Sequence, residues 1–143
     1  MTTRIVVGID GSESARAALD WAWDEAKRWG AELEVVHAWA YPYAYGVEGA
    51  VVVPPQTLSE DAKKLADEEL ADLRARKGDD VPMTMVVDEG GAAHTLLDRG
   101  KDAAMIVVGA RGHGGFLSLL VGSVADQVVH HAPCPVVVVR HPG

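Results

Sequence analysis

Five glycines, Gly109, Gly112, Gly114, Gly115 and Gly122, lie between Gly109 and Ser123, a stretch without one acidic side chain in a chain that carries 21 Asp and Glu against 13 Lys and Arg. Glycine lets backbone N–H groups approach phosphate oxygens with no Cβ in the way. A loop that feeds a helix at Ser123 adds aligned donors and the positive end of the helix dipole, so the stretch has the chemistry of a phosphate cradle. One helix terminus gains only roughly 0.3–1 kcal/mol from a charge, so several contacts must act together. Arg111 and His113 are the cationic side chains of this loop. The planar donor fork of Arg111 suits phosphate oxygens, whereas His113 contributes charge only when protonated. The competing expectation for both is a solvent-facing loop charge.

Familiar nucleotide motifs do not account for the loop. Gly100-Lys101 is followed by Asp102, has Thr95 where a Walker A loop needs glycine, and precedes an apolar run instead of following one. Gly112-His113-Gly114 is followed three positions later by Leu117, so the dinucleotide fingerprint is missing. Elsewhere, Asp10-Gly11-Ser12 places a carboxylate just after an apolar run, where it suits a ribose hydroxyl or Mg²⁺ and equally suits a turn with Ser12 capping a helix. Of six histidines, His130 and His131 are adjacent on a predicted helix, about 100° apart, and no His-Glu-x-x-His spacing exists. Cys134, between Pro133 and Pro135, reads as a small core residue, and no serine sits in a Gly-x-Ser-x-Gly elbow.

The elements that must position these residues follow from periodicity. β-Branched runs at Ile5–Ile9, Leu33–Ala38, Met83–Val87, Met105–Val108 and Val136–Val139 predict five strands, the last two continuous enough to be buried on both faces. Helical stripes run through Ala15, Ala18, Leu19, Ala22, Ala26 and Trp29, and through Leu58, Ala62, Leu65, Ala66, Leu70 and Leu73. The second stripe opens on the capping-box spacing Thr57-Leu58-Ser59-Glu60 and carries Glu60/Lys64 and Asp72/Arg76 as a solvated face. Shorter helices fit at about Ala92–Lys101 and Ser123–His131. This alternation predicts an α/β fold, a parallel sheet with helices on both faces, in a single domain over residues 1–143. Ligands of such sheets bind at the carboxyl ends of the strands, which nominates Asp10 to Ser14, Ala38 onward and Gly109 onward.

The formal charge of −8 argues against nucleic acid and against anionic lipid as partners, so an anionic ligand must be held locally. The opening Met1-Thr2-Thr3-Arg4 leads into the apolar run Ile5-Val6-Val7, too short for a signal h-region or a membrane span, and a single cysteine fits a cytoplasmic protein.

Gly109-x2-Gly112-x9-Gly122-Ser123 resembles the ATP-binding pattern of the universal stress proteins. Val7-Gly8-Ile9-Asp10-Gly11-Ser12, the strand ending Val35-Val36-His37-Ala38 and the closing Ala132-Pro133-Cys134-Pro135-Val136-Val137-Val138-Val139 extend the likeness from end to end. The resemblance implies a three-layer Rossmann-like domain with strand order 3-2-1-4-5 that binds ATP. It assigns Gly109, Gly112, Gly122 and Ser123, with the adjoining Val124, to the phosphates and ribose. It places Asp10 near the ribose or a phosphate-bound Mg²⁺, and the backbone around Ile9 and Ala38 about the adenine. It also implies a homodimer paired through the C-terminal strand, the alternative being that Arg140 and His141 guard an unpaired edge.

Three functions remain in competition. The leading one is a nucleotide-dependent regulatory protein that changes its dimer contacts or its hold on a protein partner under stress. A slow ATPase or adenylyl-transferring enzyme is the second; it needs a water-activating residue, and none is evident. A dimeric module that uses no nucleotide is the third. The aromatic run Trp39-Ala40-Tyr41-Pro42-Tyr43-Ala44-Tyr45-Gly46 opens a long non-helical loop through Pro54-Pro55, which fits a lid over the base, a contact patch or a packed surface loop.

Overall fold

The structure, a computed structural model, describes residues 3–40, 54–111 and 122–141. Strand and helix alternate throughout: β1 (Arg4–Gly8), α1 (Glu13–Trp29), β2 (Glu32–Trp39), α2 (Pro55–Lys77), β3 (Met83–Glu89), α3 (Ala92–Arg99), β4 (Met105–Gly109), α4 (Ser123–His131) and β5 (Val136–Val139). The five strands form one parallel sheet in the order β3-β2-β1-β4-β5. Each strand's two-residue period divides its side chains between two cores. Ile5, Val7, Leu33, Val35 and Val107 pack under Leu19, Ala22, Leu70 and Leu73 of α1 and α2. Val6, Val36, Ile106 and Val108 pack under Leu96 of α3 and Val128 of α4. Burial on both faces matches the continuous apolar run of β4, whereas β5, read as equally buried, is an edge strand and half-buried along its length.

Several local expectations are corrected. The second helix opens at Pro55, with Pro54 as its N-cap and no side-chain cap bond, instead of at the Thr57–Glu60 box. The fixed φ of proline suits the first helical position, so Pro55, read as part of a loop whose residues 41–53 lie outside the described ones, opens the helix. Trp29, counted in the first apolar stripe, is exposed at the end of α1, where its indole N–H donates to Glu25 at 2.9 Å. Lys64 pairs with Glu68, not Glu60.

Nor is the polar side of α2 merely solvated. Arg76 holds Asp72 on its own helix and Asp20 on α1, both at 2.9 Å, and Lys77 holds Asp24 at 2.9 Å. Arg16 of α1 reaches the buried Glu69 of α2 at 3.0 Å. The hydrogen bond and charge of Glu69 raise the Arg16 pKa, and those of Asp20 and Asp72 raise that of Arg76. Trp23, buried on α1, lies beneath the ammonium groups of Lys27 and Lys77, 5.4 and 5.8 Å from its ring centre. Ion pairs and a cation–π contact thus join α1 to α2.

Candidate functional site

Chain order reverses between β1 and β4: β2 and β3 extend the sheet on one side, β5 on the other. The carboxyl ends of β1 and β4 therefore flank a crevice at the switch point, where ligands of such sheets bind. Two of the nominated segments, Asp10 to Ser14 and the one that opens at Gly109, meet there through Ser14, Gly109 and Arg111.

The turn after β1 is built from its own side chains. Asp10 Oδ1 accepts from the backbone N–H of Ser12 at 2.9 Å and from the Ser12 hydroxyl. Gly11 sits at φ 82°, a left-handed conformation that glycine adopts without Cβ strain. Ser12 is the N-cap of α1, its Oγ accepting from Ala15 N–H at 3.2 Å. The turn and cap read for this triplet are thus both present, and one oxygen of Asp10 is committed to them. Among the described residues no group of three His, Cys, Asp or Glu side chains is placed to hold a metal.

Helix α1 also touches the end of β4. The buried Ser14 accepts from Arg111 N–H at 3.2 Å through its hydroxyl. A Cβ on Gly109 would stand 2.6 Å from Ser14 Oγ and 2.7 Å from Ser14 C. Gly109 is therefore required by strand-to-helix packing, independently of any ligand. Arg111 enters the site region through its backbone, and the residue is exposed.

From Arg111 the chain runs through Gly112 and His113, which lie outside the described residues, and comes back at Gly122 beside its point of departure. Ala110 N–H donates to Val139 O at 2.8 Å, and Gly122 N–H donates to Ala110 O at 2.5 Å. Gly122 then serves as the N-cap of α4 with φ −67° and ψ 162°, an extended conformation open to any residue, and makes no side-chain cap bond. Its carbonyl accepts from Asp126 N–H at 2.9 Å. The N–H groups of Ser123, Val124 and Ala125 precede the first turn's hydrogen bonds and form the donor end of α4. Ser123 is exposed and Val124 half-buried at this terminus.

At the β2 edge, Ile9 is buried, its N–H donating to Val36 O at 2.9 Å. Ile9 O takes the imidazole of His37, whose Nδ1 lies 3.0 Å away. A carbonyl only accepts, so Nδ1 carries the proton. Ala38 follows, half-buried, in register with Asp88 of β3. His37 was legible only as part of a strand ending; its role depends on a contact 28 residues away.

The family model for universal stress proteins matches residues 1–140. The chain belongs to that family. A universal stress protein of Mycobacterium tuberculosis is 37% identical over 136 residues, 95% of this chain and 45% of the relative. One of Mycolicibacterium smegmatis is 35% identical over 141 residues, with the same two shares. The chain thus spans about half the length of these curated relatives. Among solved structures, the universal stress protein UspA from Lactobacillus plantarum superposes with a TM-score of 0.74 at 29% identity, covering 96% of this chain and 97% of the other. The universal stress protein from Archaeoglobus fulgidus in complex with dAMP superposes at 0.67 with 22% identity, covering 96% and 97%.

Away from the crevice, this universal stress protein has a shallow polar pocket of about 290 Å³ at the amino end of the sheet, lined by Arg4, Glu34, Asp98, Arg99 and Lys101. Its charges are mutually satisfied. The buried Glu34 pairs with Arg4 at 2.7 Å and with Arg99, and Arg4 also donates to Arg99 O and Lys101 O at 2.8 and 2.9 Å. Cys134 is half-buried near β5, where burial raises the pKa of its thiol.

Proposed function

We propose that this chain is a cytoplasmic ATP-binding regulatory protein that couples nucleotide binding to contacts with a second copy or a protein partner. The observation that carries this reading is the closure of the glycine loop. Gly122 bonds back to Ala110, so the donor end of α4 stands beside the ends of β1 and β4. Gly122 needs no positive φ, and a Ser, Thr, Asn or Asp would cap α4 better. A bare N-cap backbone is explained by the close approach of a phosphate.

In this reading the phosphates lie across Gly109, Arg111, Gly112, Gly122, Ser123 and Val124, with Asp10 at the ribose and at a nucleotide-bound Mg²⁺. The base meets Ile9 and Ala38. Ile9 contributes shape, since its N–H and carbonyl already have partners. Ala38 contributes backbone polarity: Glu32 N–H bonds to Thr3 O while Leu33 N–H bonds to Pro82 O, so even positions of β2 address β1 and odd ones β3. The peptide groups of Ala38 accordingly address the space beyond the end of β1. The dAMP complex of the Archaeoglobus fulgidus protein concerns that protein; at 22% identity it supports a shared fold, and the nucleotide reading here rests on the residues.

Mass spectrometry of nucleotide released from the purified protein tests the reading, with ATP as the expected species. Nucleotide-free protein that also fails to take up added ATP with Mg²⁺ would overturn it. A second copy is proposed to pair along the outer edge of β5. Ile106 N–H bonds to Pro135 O and Ala110 N–H to Val139 O, which turns the peptide groups of Val136 and Val138 outward.

A further inference from the structure

We propose that His37 is the positioning residue for the base end of the nucleotide site, holding the β1 terminus so that the peptide edge of Ala38 stays open to the base. The inference rests on the nucleotide reading above. The β1–β2 ladder runs in register from Arg4↔Glu32 to Gly8↔Val36 and gains one further bond, Ile9 N–H to Val36 O at 2.9 Å. Continuing the parallel pattern would next bring Ala38 N–H to Ile9 O. The imidazole of His37 occupies that acceptor instead, its Nδ1 3.0 Å from Ile9 O.

Two consequences follow from the substitution of a side chain for a ladder bond. The chain leaves the sheet at Ile9 in a defined direction, which fixes where Asp10 begins the turn capped by Ser12. The N–H of Ala38 is left on the crevice side, where a donor beside a carbonyl can read a base edge that offers an acceptor beside an amino group. Adenine carries that pair at N1 and N6; hypoxanthine has N1–H and O6 there and reverses it. His37 thus acts on base discrimination through the backbone of its neighbour.

The test compares AMP with IMP by calorimetry in wild type, His37→Leu and His37→Asn. Asparagine places an amide donor near the position of Nδ1; leucine has none. Expected is a wild-type preference for AMP that shrinks about tenfold in His37→Leu, the effect of one ordinary hydrogen bond, and recovers in His37→Asn to within about threefold. Equal weakening of AMP and IMP, or an unchanged preference in His37→Leu, overturns the inference while leaving nucleotide binding intact. A wild type that binds neither nucleotide overturns the reading on which it rests. Nitrogen-15 NMR of the wild type gives a second arm that needs no variant to fold: His37 protonated on Nδ1 is the expected state, and a neutral ring protonated on Nε2 alone contradicts the latch.

Discussion

Gly109 and Gly122 share a motif but answer to different physics. Gly109 has no room for a Cβ because the first turn of α1 lies against it; Gly122 has an ordinary backbone conformation and a place at the donor end of α4. Gly109→Ala should therefore destabilise the fold by about 1–3 kcal/mol through overpacking, read as a lower urea midpoint. Gly122→Ala should cost only roughly 0.5–1 kcal/mol through a poorer cap. Asp10 separates in the same way. Asp10→Asn keeps an oxygen acceptor for Ser12, so stability should stay within about 0.5 kcal/mol of wild type. The gain in ATP affinity on adding Mg²⁺, measured by calorimetry, should fall about tenfold, roughly the contribution of one charged contact. An unchanged Mg²⁺ effect would leave Asp10 to the turn alone. The types and spacing of these residues were legible from the sequence. Which glycine serves packing was not, because Ser14 meets Gly109 across 95 residues of chain, and no local pattern records that contact.

Elements were legible where burial imposes a period. The run at Met105–Val108 fell inside β4 and that at Ile5–Ile9 covered β1 up to Gly8, overrunning it by Ile9, because both faces of those strands are covered, and the α1 stripe was found because one face packs on the sheet. What escaped were polar side chains that join elements, for their partners lie far off in sequence. Glu34 is buried in β2 and held by Arg4 from β1 and Arg99 from α3, while Arg4 also supplies donors to the carbonyls of Arg99 and Lys101 where α3 ends. Removing the cation would leave a buried carboxylate with one partner and the end of α3 without its donor. Arg4→Met should destabilise the chain by about 1–3 kcal/mol, with hydrogen exchange accelerating first near Arg99–Lys101. Exchange that accelerates uniformly would contradict this local role.

At the scale of the molecule, sheet order and site location have one cause. A right-handed strand-helix-strand walk that first builds to one side of β1 and then restarts at β4 leaves a crevice between the two, and the glycine loop opens from β4. The outer edge of β5 supplies the proposed pairing surface. Val138→Pro removes an outward N–H without touching the β4 ladder, so sedimentation should find wild type dimeric and the variant monomeric with an unchanged circular dichroism spectrum. A monomeric wild type would refute the pairing. The central claim is that the loop closed by Gly122 holds phosphate, and calorimetry of ATP with Mg²⁺ against wild type and Gly122→Val tests it most directly. The account predicts one ATP per chain for wild type and no measurable binding by a variant that still unfolds cooperatively; equal affinity in the two proteins would contradict it.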